Sequence, residues 1–440
     1  MLVAATQTIG FAAERQITHA AHGHILANTG VWSPDGQWIV YDVRSDESGS
    51  LFDGQRIEAV NVQTGQVKCL YESKQGACCG IATWQPLGMK IAFVLGPENP
   101  TVDWQYGPSH RQGIVVDFAN PGVALNLDAC DLTPPFTPGA LRGGSHLHVW
   151  DAAGDWLSFT YNDALVESEV RDIGVAVPAQ KVRVSKSHPR NHDGNFFCAL
   201  VTRTATAAKP GSDEITRAFE EAWIGTNGYI RRDGTRQHHA LAFQGNVVTT
   251  NGEKISEVFV ADLPEDLRQA GDGPLAGTSE HRPYPPKGVT QRRLTYTGAR
   301  KNPGIQGPRH WLRSSPDGSR IGFLMKDDAG VVQLCTISPN GVQPAQLTHN
   351  AHDIASAFTW SPDGRRIAHV MDNSVCVTDA GTGETTRVTP RSDDASAPRP
   401  EACVFSPGGD MIAFVRRRKT MASFFNQICV VFLEDDASTK

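Results

Sequence analysis

The chain has 440 residues, 40% of them hydrophobic and 20% charged, with a formal net charge of −6. That balance suits a folded globular protein with a sizeable core and excludes a disordered chain. It argues against nucleic acid as a partner, because phosphate binding needs a basic face, and no window approaches the ~20 apolar residues that span a membrane.

The N-terminal stretch MLVAATQTIGFAAERQITH has no basic region followed by a long apolar core and a small-residue cleavage site, so the sequence reads as cytoplasmic. The nine cysteines are odd in number, scattered and without a CxxC pair, which fits reduced, mostly buried thiols. RQITH, at 15–19, reads as a strand with no hairpin before it.

A repeat then begins. VWSPDGQWIVYD starts at Val31, and weaker copies follow as TWQPLGMKIAFV at Thr83, VWDAAGDWLSFTY at Val149 and RNHDGNFFCALV at Arg190. Clear copies return as SSPDGSRIGFLM at Ser314, TWSPDGRRIAHVM at Thr359 and VFSPGGDMIAFV at Val404. Pro second and Gly fourth in the turn suit a type I hairpin, and a third strand and a short Leu-Thr strand follow most copies. Four antiparallel strands per unit make a propeller blade. Anchors near 33, 85, 151, 191, 315, 361 and 406 therefore predict an all-β, seven-bladed β-propeller spanning 1–440 as one domain. The last hairpin lacks its own fourth strand, so the segment near 15–19 is expected to complete blade 7 and remove an open edge. Tryptophans one residue before the turns (Trp32, Trp84, Trp150, Trp360) read as packing between blades.

Two insertions interrupt the pattern. GPENPTVDWQYGPSHRQG at 96–113 lies in blade 2, and a longer one, about 205–290, lies in blade 4. Within the latter, SDEITRAFEEAW at 212–223 has an N-cap Ser, early acids and apolar residues at helical spacing, which predicts a helix. Residues 264–290 are rich in Pro and Gly and read as a loop. His238 and His239 cannot both face one side of a strand, so that pair carries little functional weight. Insertions of this size usually form lids, binding loops or interfaces, and residues 205–240 and 96–113 are expected on the rim where the inner strands begin.

The hairpin-plus-Leu-Thr pattern resembles TolB-like propeller repeats, which also occur in oligogalacturonate lyases and in the propellers of prolyl oligopeptidases. GPENPTVDWQY, LTPPFTPGALRGGSHLHVW, GSDEITRAFEEAW and RHWLRSSPDG resemble more closely a group of bacterial TolB-like proteins with a domain of unknown function. The resemblance implies the propeller fold and no chemistry. The oligogalacturonate lyases imply more by analogy: an axial divalent metal held by histidines and an acidic sugar substrate. The chain has no Gly-x-Ser-x-Gly elbow, so the peptidase reading fails.

The candidate site sits where inner strands begin. Five residues before their turns stand Asn28, His146, His310 and Glu401; His148 follows His146 at strand spacing, His188 holds a similar place before the anchor near 191, and His22 and His24 approach blade 1. Converging neutral imidazoles could hold Mn²⁺, Zn²⁺ or Fe²⁺, so His146, His148, His188 and His310 are the candidate metal ligands; the plain alternative is polar residues facing a wet channel. Arg142, Arg190 and Arg309 accompany them and suit a carboxylate ligand. His310, Arg309 and Arg142 are the catalytic candidates. Arg190, Trp104, Tyr106 and Arg111 are the candidate substrate contacts, with loop anchoring as the alternative for the aromatics. The sequence thus favours a metal-assisted lyase on an acidic, uronate-type saccharide without a nucleotide cofactor. Its alternatives are a protein-interaction scaffold and a small-molecule binder without turnover.

Overall fold

The Ser-Pro-Asp-Gly turns explain why each hairpin forms. Ser33 Oγ donates to Asp35, Trp38 N donates back to Ser33 Oγ at 2.9 Å, and Gln37 N donates to Asp35 Oδ1 at 3.0 Å. Gly36 takes φ +68°, a left-handed conformation that a side chain would strain, and its N–H reaches Ser33 O at 2.9 Å. The same pattern recurs at Ser315, Asp317 and Gly318 and at Ser361, Asp363 and Gly364. In the blade 7 turn Asp410 stands in for the missing Asp.

A computed structural model describes residues 13–27, 29–166, 169–308, 311–420 and 423–433. Its hairpins extend into seven four-stranded antiparallel sheets, a seven-bladed β-propeller. A single 3₁₀ turn, Asp394–Ser396, is the only helical element among the described residues. Inner strands run from one rim, the strand-start rim, to the turns on the other, the turn rim. The expected closure is present: Ala13–Gln16 pairs antiparallel with Phe424–Phe432, with Ala13 opposite Phe432 and Gln16 opposite Cys429. Glu14 on this strand faces Arg416 at 3.0 Å and also pairs with Arg418.

Blade-to-blade packing buries the aliphatic faces, and the tryptophans add hydrogen bonds between blades. Trp32 Nε1 donates to Val404 O at 3.0 Å, Trp360 Nε1 to Arg313 O at 3.1 Å, and Trp223 Nε1 to Val149 O at 2.9 Å. Each bond reaches the preceding blade, so these indoles tie neighbours together as well as filling space.

Blade 4 departs from the sequence reading in two ways. The predicted helix at 212–223 is absent: Ala218–Trp223 is the inner strand of blade 4, paired with His239–Val248. Its helical look comes from a β-bulge, which interrupts the period-2 pattern between Phe219 and Ala222, and burial between blades overrides propensity. The anchor near 191 is likewise displaced, since Gly194–Leu200 is the outer strand of blade 3. Trp223 is therefore the blade 4 member of the tryptophan series.

The long blade 4 insertion splits between the rims. Residues 201–217 cross the strand-start rim, while 224–238, with the small hairpin Tyr229–Ile230 and Arg236–Gln237, lie on the turn rim. Residues 264–289 leave the turn rim and reach the strand-start end of blade 3, where Arg282 pairs with Asp172 and Arg142 binds the carbonyls of Thr278 and His281. This segment is a strap across blades 3 and 4. Residues 96–111 lie on the strand-start rim against the start of Gly143–Trp150, with Ser145 N donating to Arg111 O at 3.2 Å.

Candidate functional site

Inner strands of three successive blades carry the same irregularity. Ile81, Leu147 and Glu220, each three residues before its blade's tryptophan, take φ of +56°, +58° and +55°. Strand register shifts at all three places. Such bulges re-aim side chains and concentrate at functional sites. In blade 2 the bulge is held from blade 1: Ile81 N donates to Asp42 Oδ1 at 3.0 Å.

The bulge at Leu147 separates the two histidines of HLH. His146 is half-buried in the wall of a cavity of about 570 Å³ at the strand-start mouth of the channel. His148 points away, fully buried, with Nε2 3.0 Å from Ser145 Oγ. Ser145 Oγ in turn donates to Asp128 Oδ2 at 3.1 Å, and Gly113 N donates to Asp128 Oδ1 at 2.6 Å. In this chain the serine lies between the imidazole and the carboxylate, so it is not a nucleophile–base–acid relay. Burial, then the positive charge of Arg111, lowers the His148 imidazole to about 3. His146 is also held well below the usual range, by burial and by Arg111 and Arg171. Both imidazoles are neutral near pH 7.

The axial cavity mixes cations, aromatics and acids. Arg44 pairs with buried Asp42 at 2.6 Å, and its Cζ lies 4.4 Å from the Phe52 ring centre. Burial raises the Asp42 carboxyl despite that partner. Arg399 lies 3.7 Å from Glu401, and Trp311 completes the wall. Tyr106 stacks on Phe52 at 4.6 Å, so the blade 2 insertion supports this wall from behind.

The remaining predicted residues do not converge with His146. His188 lies beside Trp104 at the shoulder between blades 2 and 3, where Arg190 N donates to its Nδ1 at 3.1 Å. Trp104 stacks on His110 at 3.7 Å. Arg190 donates to Glu98 O at 2.9 Å and Asn99 O at 3.1 Å, bonds that tie the blade 3 hairpin to the insertion. Arg142 is buried, its Nε donating to Asp163 Oδ2 at 2.8 Å, and serves the strap instead of the cavity. His24 is buried with Nδ1 2.9 Å from Asn426 O, and His22 stacks on it at 4.7 Å. Asn28, Arg309 and His310 lie outside the described residues. Among the described residues no group of three or more His, Cys, Asp or Glu side chains could hold a metal ion. Three of the four candidate ligands thus stand in three separate surroundings, with the bulge as the physical reason for the first split.

Arg44, Phe52, Trp311 and Arg399 were not singled out in the sequence. Arg44 and Phe52 flank a blade 1 loop that folds back over the mouth, and nothing in their local sequence marks that path. Glu401 was visible from its count before the turn.

Comparisons with known proteins agree with the architecture. A family model described as "Protein of unknown function (DUF3748)" matches residues 78–192. The chain is 46% identical over 412 residues to the "Uncharacterized protein YidR" of Escherichia coli (strain K12), covering 92% of this chain and 95% of that protein. Among solved structures, an oligogalacturonate lyase in complex with manganese superimposes with a TM-score of 0.54 at 11% identity, covering 96% of this chain and 94% of that one. A second oligogalacturonate lyase, from Vibrio parahaemolyticus, gives 0.54 at 10% identity, covering 98% and 95%. At those identities the likeness is one of fold. No described helix is long and apolar enough to cross a membrane.

Proposed function

The chain belongs to the family of the uncharacterised protein YidR, and on that footing we propose that its strand-start mouth binds a carboxylate-bearing, uronate-type saccharide. The supporting observation is the axial cavity, where Arg44 and Arg399 stand with Phe52 and Trp311 around the neutral His146. Aromatic faces suit the apolar face of a sugar ring, and guanidinium groups orient a carboxylate. The 570 Å³ volume falls in the usual range for small-molecule sites, about 300–1,000 Å³.

Turnover by β-elimination is the reaction class that this reading favours. A base takes the proton on the carbon next to the carboxylate, the carbon–oxygen bond to the leaving sugar breaks, and that oxygen takes up a proton. His146 has a free lone pair near neutral pH and is the described imidazole of the cavity wall. A divalent ion, of the kind named with one lyase structure, would lower the acidity barrier of that carbon. His146 alone among the described residues does not make a site for it, so no step here passes through a metal.

Digalacturonate and trigalacturonate are the probes. The expected result is saturable binding by calorimetry, with an ultraviolet-absorbing unsaturated product if elimination follows. His146→Ala should then lower turnover about 10²–10⁴-fold, the usual range for a lost general base. Binding without product would leave a sugar-binding propeller; no binding of either oligomer to untagged protein, with or without added Mn²⁺, would overturn the proposal.

A further inference from the structure

A second pocket, of about 190 Å³, lies at the shoulder between the blade 2 insertion and the blade 3 hairpin. Its walls include Trp104, His110, Arg111, Asp128, Asn191 and His192. All of its lining residues fall within 78–192, the stretch described by the family model, whereas the axial cavity also draws on blades 1, 5 and 7.

Arg111 is the unusual group. It is 8% exposed, and its Nε and Nη2 are buried without a hydrogen-bond partner. Nη1 has only the Tyr106 hydroxyl, at 3.4 Å. Three other buried arginines face carboxylates: Arg44 has Asp42, Arg142 has Asp163 and Arg416 has Glu14. No ion pair joins Arg111 to a described carboxylate, and its charge acts on Arg171 and on the neutral imidazoles of His146 and His148. A guanidinium held out of water without a counter-charge is strongly unfavourable, so an anion from solution would be favoured beside it. Asp128 does not fill that role. Its two oxygens already accept from Gly113 N and Ser145 Oγ, and burial raises its carboxyl to about 7.

We propose that the shoulder pocket is a separate binding site for a small carboxylate, with Arg111 as its counter-charge and Trp104 and His110 as its outer wall. The volume is below that of usual drug-sized sites, which restricts the ligand to a single acidic monosaccharide or a smaller carboxylic acid. An oligomer would not fit, so this pocket takes a smaller ligand than the axial cavity, although the Arg111 charge also reaches His146 in the axial wall.

The test uses the full chain with acetate, D-galacturonate and, as a neutral control, D-galactose. Calorimetry and tryptophan fluorescence should show binding of at least one acid and none of galactose. With the axial cavity saturated by trigalacturonate, which is too large for the shoulder pocket, Arg111→Met should weaken acetate binding at least tenfold. A second readout does not need ligand: because Arg111 is unpaired, Arg111→Met should raise the thermal midpoint of the free protein, whereas a structural arginine would lower it when removed. The proposal is overturned if neither acid binds, if acetate binding to protein saturated with trigalacturonate survives Arg111→Met, or if Arg111→Met lowers the ligand-free midpoint. Loss of acetate binding once trigalacturonate is present would place the carboxylate in the axial cavity and equally overturn it.

Discussion

Replacing Arg142 with methionine is expected to lower the unfolding free energy by about 3–5 kcal/mol, the range for breaking a buried ion pair from one side. Arg142 and Asp163 are each 1% exposed, and their bond is 2.8 Å. The variant leaves the Asp163 carboxylate buried with the Tyr161 hydroxyl at 3.0 Å and Leu165 N at 2.8 Å, which moderates the loss. It also removes the hydrogen bonds to Thr278 O and His281 O, each worth about 1 kcal/mol. Urea unfolding of the variant and of Arg142→Met/Asp163→Asn gives the comparison. The double variant should recover part of the stability, because no unpaired charge stays buried.

The same experiment separates two roles for this residue. Arg142 was a catalytic candidate by its place near the histidines, yet its side chain fastens the strap of residues 264–289 to blade 3. If the role is structural, the variant loses stability and the strap becomes easier to cleave by protease, while saccharide binding per folded molecule holds. A stable variant that has lost turnover would restore the catalytic assignment. A loss below about 1 kcal/mol would contradict the buried-pair argument outright.

The propeller was legible because its signals are local. Ser33, Asp35 and Gly36 make their turn from bonds within five residues, so every good copy of the motif announces a hairpin. Blade 4 was misread because its inner strand carries no such turn and its bulge at Glu220 disturbs the alternation. Trp223 before the Gly225–Gly228 turn was the available signal, since it matches Trp84 and Trp150 in position. The site was less legible for the same reason. One left-handed residue, Leu147, decides that His146 faces the cavity and His148 the blade interface, and Leu is not a residue that advertises a positive φ. Arg44 and Arg399 come to the mouth from opposite ends of the chain through closure of the ring, a long-range fact that no spacing encodes.

Buried histidines should make the protein sensitive to acid, and His369 isolates the effect. It lies on the second strand of blade 6, is fully buried, and has Nε2 2.8 Å from Thr378 Oγ1. Burial lowers its imidazole from 6.5 to about 4. The folded-state value lies below the unfolded one, so the unfolded chain takes up a proton first as pH falls. Stability from the neutral form is therefore complete above about 6.5, declines below it, and is fully lost near 4. At 1.36 kcal/mol per unit, the span amounts to about 3 kcal/mol. His24 and His148, each lowered to about 3, act in the same direction. Asp128 and Glu221, raised to about 7 and 8, act oppositely, because the folded state keeps their protons while the unfolded chain has released them. The whole-protein curve is thus a difference of several such contributions, and a single substitution reads it better. His369→Gln keeps an amide able to reach Thr378 and cannot titrate. Its stability deficit relative to the wild type, measured by urea unfolding, should shrink by about 1.4 kcal/mol for each pH unit between about 6.5 and 4. Parallel curves for the two proteins across that window would show that His369 takes up its proton as easily in the folded chain as in the unfolded one.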